Sequence, residues 1–207
     1  MYLLDSDAAR KLCQYELLNE LVAALGCSMH ELGVLPQLKF QLQLADHTKS
    51  LARLGSINAV ELAKRLIASA HEVEVSAATA NPLLELNRPD IDTGEAILFA
   101  ALWEDAESEL ISGDKRAFVA LSKVDGVAVI DALWGRLICL EESLYLMVRD
   151  GDFHIVSQKV RSRPDVDISA SNSFGRSTPS TQPNVLDALQ SYMAALKRST
   201  NGKYVLP

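Results

Sequence analysis

The chain has 207 residues, 48% of them hydrophobic, enough to bury one real core with an extension attached. Its 20 Lys and Arg against 27 Asp and Glu leave a formal net charge of −7, which excludes the polycation signature of a protein that coats nucleic acid. Cys13, Cys27 and Cys139 are odd in number and widely spaced, with no C-x-x-C pair, so buried free thiols in a reducing, cytoplasmic compartment are expected.

Met1-Tyr2-Leu3-Leu4 is an apolar run short enough for a buried strand, and it stops at Asp5-Ser6-Asp7. These acids and the lack of a basic n-region argue against a secretory signal. Residues 8–25 place Leu12, Leu17, Leu18, Leu21, Val22 and Leu25 at helical spacing, with Gly26 as the C-cap. Residues 31–36 read as a short strand leading into a helix with Pro36 near its first turn. A helix over 56–70 follows, capped by Ser56, with Ala59, Leu62, Ala63, Leu66 and Ile67 on its apolar face. Val73–Ser76 alternates like a strand, and Asp92 or Thr93 caps a helix running through Trp103. Its most apolar part, Ala96–Trp103, is far too short to span a bilayer, so no membrane contact is expected.

Leu110–Ser112 reads as a strand, Lys115–Leu121 as a helix and Val127–Ile130 as a further strand. Alternation of this kind predicts an α/β fold, a three-layer sandwich with a central, mainly parallel sheet covered on both faces. That domain is expected to span residues 1–160, followed by a C-terminal extension. Within it, 161–183 is rich in Ser, Thr, Pro, Asn and Arg and reads as an irregular linker. Residues 184–207 carry an amphipathic helix, with Val185, Leu186, Leu189, Met193 and Leu196 in one stripe, and then a tail. The stripe is too large to leave wet, so the helix docks on its own domain or on a second copy in a homo-oligomer.

Three acidic stretches stand where such a sheet exposes them: Leu4-Asp5-Ser6-Asp7, Ile91-Asp92-Thr93-Gly94-Glu95-Ala96 and Ile111-Ser112-Gly113-Asp114. Strands of a parallel sheet end on the same side, and ligands bind outside those ends. Asp5, Asp92, Glu95 and Asp114 can therefore converge although they are far apart in sequence. Carboxylates packed together repel, and a hard divalent cation such as Mg²⁺ relieves that cost. Capping is the competing role for each Asp taken singly.

These residues resemble the PIN-domain superfamily over about 1–130. Leu4-Asp5-Ser6-Asp7 is similar to its opening strand and first acid. Asp92-Thr93-Gly94-Glu95-Ala96 is similar to the Asp-x-Gly-Glu-Ala helix start of one branch, and Ser112-Gly113-Asp114 to the motif supplying the last acid and a hydroxyl. The resemblance implies a Mg²⁺- or Mn²⁺-dependent ribonuclease, toxin-like in some members, with an antitoxin-like protein partner. It implies Asp5, Glu95 and Asp114 as metal ligands, Asp7 and Asp92 as outer ligands, and Ser112 orienting water or an Asp. The family's second acid falls at Gln37, whose amide oxygen can coordinate but brings no charge. Glu61, on the following helix, is the candidate substitute.

Other constellations are poor. His30, His47, His71 and His154 lack metal-ligand spacing, and no P-loop or G-x-S-x-G turn is present. Trp103 and Trp134 read as core residues, and Lys115, Arg116, Lys123 and Arg136 as either a local basic rim or solvated charges. Two classes remain: a metal-dependent nuclease acting on RNA, and a PIN-like protein that has lost catalysis and acts by binding or assembly.

Overall fold

The computed structural model describes residues 1–75, 81, 83–84, 88–124 and 128–207. In chain order its elements begin with β1 (Tyr2–Leu4), α1 (Ser6–Gln14), α2 (Leu18–Ala24), β2 (Leu32–Val34), α3 (Leu38–Gln41), α4 (His47–Leu54), α5 (Ile57–Ser69) and β3 (His71–Glu72). After them come α6 (Thr93–Glu104), β4 (Glu109–Ser112), α7 (Lys115–Ser122), α8 (Ala128–Asp131) and β5 (Leu137–Cys139). The chain closes with α9 (Leu140–Asp150), α10 (Phe153–Ser162), α11 (Ile168–Phe174) and α12 (Gln182–Ser199).

The strands form one parallel sheet in the order β3-β2-β1-β4-β5, with Leu4 beside Val34 on one side and Ile111 on the other. Because side chains alternate along a strand, Leu4, Ile111 and Ile138 face one layer of helices, where Leu12, Leu62 and Leu144 meet them. Leu3, Leu110 and Leu137 face the other, against Phe99, Phe118 and Leu121. The fold is a three-layer α/β sandwich with a wholly parallel sheet.

The C-terminal helix belongs to this core. On α12, Val185 and Leu189 are buried in the first layer and Met193 and Leu196 in the second. Burying four such side chains at about 1.5–3 kcal/mol each makes α12 a structural member of the domain. The expected tail is anchored too. Tyr204 is fully buried, its hydroxyl donates to Glu142 and accepts from the Cys139 N–H at 3.0 Å, and its ring stacks on Phe118.

Several expectations need correction. The helix over 8–25 is two helices, broken where Glu16 takes φ 59°. The Leu17 N–H reaches the Leu12 carbonyl at 2.8 Å and the Glu16 N–H the Cys13 carbonyl at 2.9 Å, which closes α1 in a Schellman turn. Ser56 and Lys159 then secure Glu16 through its carboxylate and carbonyl. Gly26, at φ 64°, ends α2 in the expected way.

The strand expected at 73–76 lies two residues earlier, as β3, and Ser76 is outside the described residues. Ala128–Ile130 is helical in α8, not a strand, and Val127 lies outside the described residues. The strand of that region is Leu137–Cys139. Residues 161–183 are not an irregular linker: α10 extends through Ser162, and α11 packs its small residues Ala170, Ser171 and Ser173 with Phe174 into the fold. Among the described residues, no helix is long and apolar enough to cross a membrane.

Candidate functional site

The sheet order turns on β1, whose neighbours β2 and β4 lie on opposite sides. Crevices at such a point, outside the strand carboxyl ends, are where open parallel sheets hold ligands. A cleft of about 420 Å³ opens there, lined by Asp5, Asp7, Gln37, Asp92, Glu95 and Asp114. Every acid read from the sequence as a metal ligand faces this one cleft.

Asp5 follows β1 and is only 7% exposed. One carboxylate oxygen caps α1 by accepting the Ala8 N–H at 2.5 Å. The other accepts the Ser112 hydroxyl and the Gly113 N–H at 3.0 Å. Burial pushes the Asp5 carboxyl above its ordinary pKa, while these three donors pull it down. Gly113 is required by close approach. A Cβ there would stand 2.5 Å from the Asp7 carboxylate and 2.9 Å from the Ala8 nitrogen. The small residue between Ser112 and Asp114 lets the β4–α7 turn lie against the start of α1.

Asp114 caps α7 through the Arg116 N–H at 2.8 Å, and the Arg116 guanidinium forks onto the same carboxylate at 2.5–3.2 Å. That pairing holds the Asp114 carboxyl below its ordinary range, against its partial burial. Asp92 and Glu95 form a reciprocal capping box at the start of α6, each side chain accepting the other's N–H at 2.8 Å. Burial, with the charges of Asp92, Asp114 and Asp5 behind it, pushes Glu95 up to about 7. Asp7 is neutralised by Arg10 and by Lys11 at 2.8 Å.

The donor set suits a hard divalent cation, being all oxygen and mostly carboxylate. Its present arrangement is not a coordination shell. Among the described residues, no three Asp, Glu, His or Cys side chains are grouped to hold one ion. Asp5, Asp92 and Asp114 all serve as helix caps, and Asp114 also faces Arg116.

Gln37 does line the cleft, so an amide stands where the resemblance expects a second acid. Glu61 does not replace it. That side chain is exposed on α5 and pairs with Lys64 at 2.9 Å. Arg136 leaves the expected basic rim, since its guanidinium is committed to the carbonyls of Leu102, Asp105 and Ser108.

Sequence reasoning missed Gln41, which also lines the cleft, and a polar network beside it. Lys11 bridges Asp7 and Asp167 at 2.8 Å each. The Ser169 hydroxyl lies 2.7 Å from both the Asp167 and the Glu141 carboxylates and donates its one proton to either, and Glu141 receives Lys115 at 2.5 Å. The Asp7–Lys11 pair was legible as an i,i+4 pair on a helix. Its continuation through α11 to α9 was not, because it joins residues 156 apart.

Comparison with protein-family models, with curated proteins and with solved structures returned no significant match, so the cleft is interpreted from its own residues.

Proposed function

We propose that this cleft is the active site of a PIN-like, Mg²⁺- or Mn²⁺-dependent ribonuclease acting in the cytoplasm. The observation that carries the reading is the gathering of Asp5, Glu95 and Asp114, from three distant stretches of chain, at the point where the parallel sheet changes direction. Each also caps or stabilises a helix start, but capping alone gives no reason for them to share one cleft.

Asp5, Glu95 and Asp114 would hold the cation, with Asp7 and Asp92 outside them. When bound, the cation supplies an activated water and neutralises charge on the phosphoryl group. The chain's own residues do the rest. Ser112 and the Gly113 N–H fix the Asp5 carboxylate in one orientation. Arg116 holds Asp114 until a competing positive charge arrives. Lys11 balances Asp7 and ties the start of α1 to α11.

A second reading, a PIN-like protein that binds RNA or a protein partner without cleaving, is favoured by Gln37 in the cleft and by the Asp114–Arg116 pair. The two readings separate on Mn²⁺-dependent cleavage of a labelled single-stranded RNA by the parent protein and by Glu95→Gln. Cleavage that needs Mn²⁺ and is lost in Glu95→Gln supports the nuclease. Mn²⁺ binding without cleavage supports the second reading, and absence of both Mn²⁺ binding and cleavage removes the nuclease.

A further inference from the structure

A second and larger cavity, of about 680 Å³, adjoins the carboxylate cleft and shares Asp92, Glu95 and Asp114 with it. Its volume lies within the ordinary range for small-molecule sites, about 300–1,000 Å³. It runs away from the acids between α7 and α12. Spacings of i, i+4 and i+7 place Arg116 and Ala120 of α7, and Lys123 at its C-cap, along one side. Tyr192 and Leu196, four residues apart on α12, form the other.

The lining mixes four carboxylates, Asp90, Asp92, Glu95 and Asp114, with three cations, Lys115, Arg116 and Lys123, and apolar side chains of α7 and α12 complete it. The Lys115 ammonium stands 5.6 Å from the centre of the Tyr192 ring. Lys123 is exposed and can meet an anion from solvent, whereas Arg116, although 90% of its side chain is exposed, is paired with Asp114. An aromatic ring beside cations is what a single nucleic-acid strand needs, since bases stack on the ring while the cations track the phosphates. A protein with a net charge of −7 repels RNA in general, so a local cationic wall is needed to seat a strand.

We infer that the α7–α12 groove is an RNA subsite. It seats one or two nucleotides of single-stranded RNA beside the scissile phosphate, with a base against Tyr192 and the backbone along Lys123, while Lys115 stays paired with Glu141. The inference rests on the ribonuclease reading for its orientation, but not for the binding itself. It commits to RNA; an acidic protein segment using the same cations is the competing occupant.

The test is fluorescence anisotropy of a labelled single-stranded RNA decamer with the full chain in EDTA, where no cleavage intervenes. Tyr192→Ala is expected to weaken binding about tenfold or more, and Tyr192→Phe to stay near the parent, because stacking needs the ring and not the hydroxyl. Lys123→Ala, at an exposed position, is expected to weaken binding and to reduce the salt dependence by about one phosphate contact. Melting temperatures of all three variants are compared with the parent. RNA affinity unchanged in both Tyr192→Ala and Lys123→Ala overturns the subsite, even if the protein cleaves RNA with Mn²⁺. RNA failing to bind while an acidic peptide does so through Lys123 also overturns it. RNA binding with these sensitivities in a protein that never cleaves upholds the subsite and rejects only the nuclease.

Discussion

Ser112 donates its hydroxyl to the carboxylate of Asp5, joining the ends of two neighbouring strands across 107 residues of chain. The same oxygen also takes the Gly113 N–H. A buried carboxylate is costly unless its lone pairs are met, and Ser112 meets one of them. Ser112→Ala is therefore expected to destabilise the fold by about 1–3 kcal/mol, the usual cost of leaving a buried charged acceptor short of a donor. Urea unfolding checks this. An unchanged midpoint would mean that Asp5 does not depend on Ser112.

Gln37 sits in the cleft with the acids but brings no charge. Gln37→Glu is expected to tighten Mn²⁺ binding and to create or raise nuclease activity, because an added carboxylate ligand strengthens a hard-cation site. Calorimetric titration of both forms reads the affinity. Equal affinities would remove Gln37 from the ligand set.

Arg116 competes with any cation for Asp114. Removing it in Arg116→Ala frees that carboxylate while disturbing nothing buried, since the side chain is almost fully exposed. Mn²⁺ affinity should rise and the metal-free melting temperature should hold. Weaker Mn²⁺ binding in this variant would show that the pairing orients Asp114 for the metal.

Glu142 gives a pH dependence that does not involve the cleft. Burial pushes its carboxyl from 4.5 up to about 7, against the opposing hydrogen bond from Tyr204. Between those values the folded protein keeps the proton and the unfolded chain releases it. Stability is thus full below about pH 4.5 and falls as pH rises through 7, with a slope approaching about 1.4 kcal/mol per pH unit for one proton. Glu95 contributes in the same direction, so the difference between parent and Glu142→Gln isolates this group. Parallel stability curves for the two proteins across pH 5–8 would show that Glu142 holds no extra proton.

Much of the site was legible because caps carry local signals. Asp92, Ser56 and Asp114 each precede an apolar helical run, and each does cap one. The strands β1 and β4 were legible as short apolar runs ending in hydroxyls and acids. What failed lacked a local signal. Ala128–Ile130 is too short for its period to separate helix from strand, and β5 is a three-residue strand directly joined to α9. The helix break at Glu16 needs φ > 0 in a residue type that seldom shows it. In α11, small buried residues do the packing that an apolar stripe does elsewhere, so a polar composition concealed a core helix. Tyr204 is held by Glu142 and Cys139, contacts more than sixty residues away in sequence.

The metal site is the central claim, and a thermal melt in millimolar Mn²⁺ tests it most directly. Glu95→Gln is the informative comparison. Asp5→Asn would put an amide donor against either the Ala8 or the Gly113 N–H and change stability on its own account. The parent is expected to gain about 2.7 kcal/mol at a Mn²⁺ concentration near 100 times the dissociation constant, and Glu95→Gln to lose most of that gain. A parent melt unmoved by Mn²⁺, or an equal shift in Glu95→Gln, would contradict a cation held by Asp5, Glu95 and Asp114.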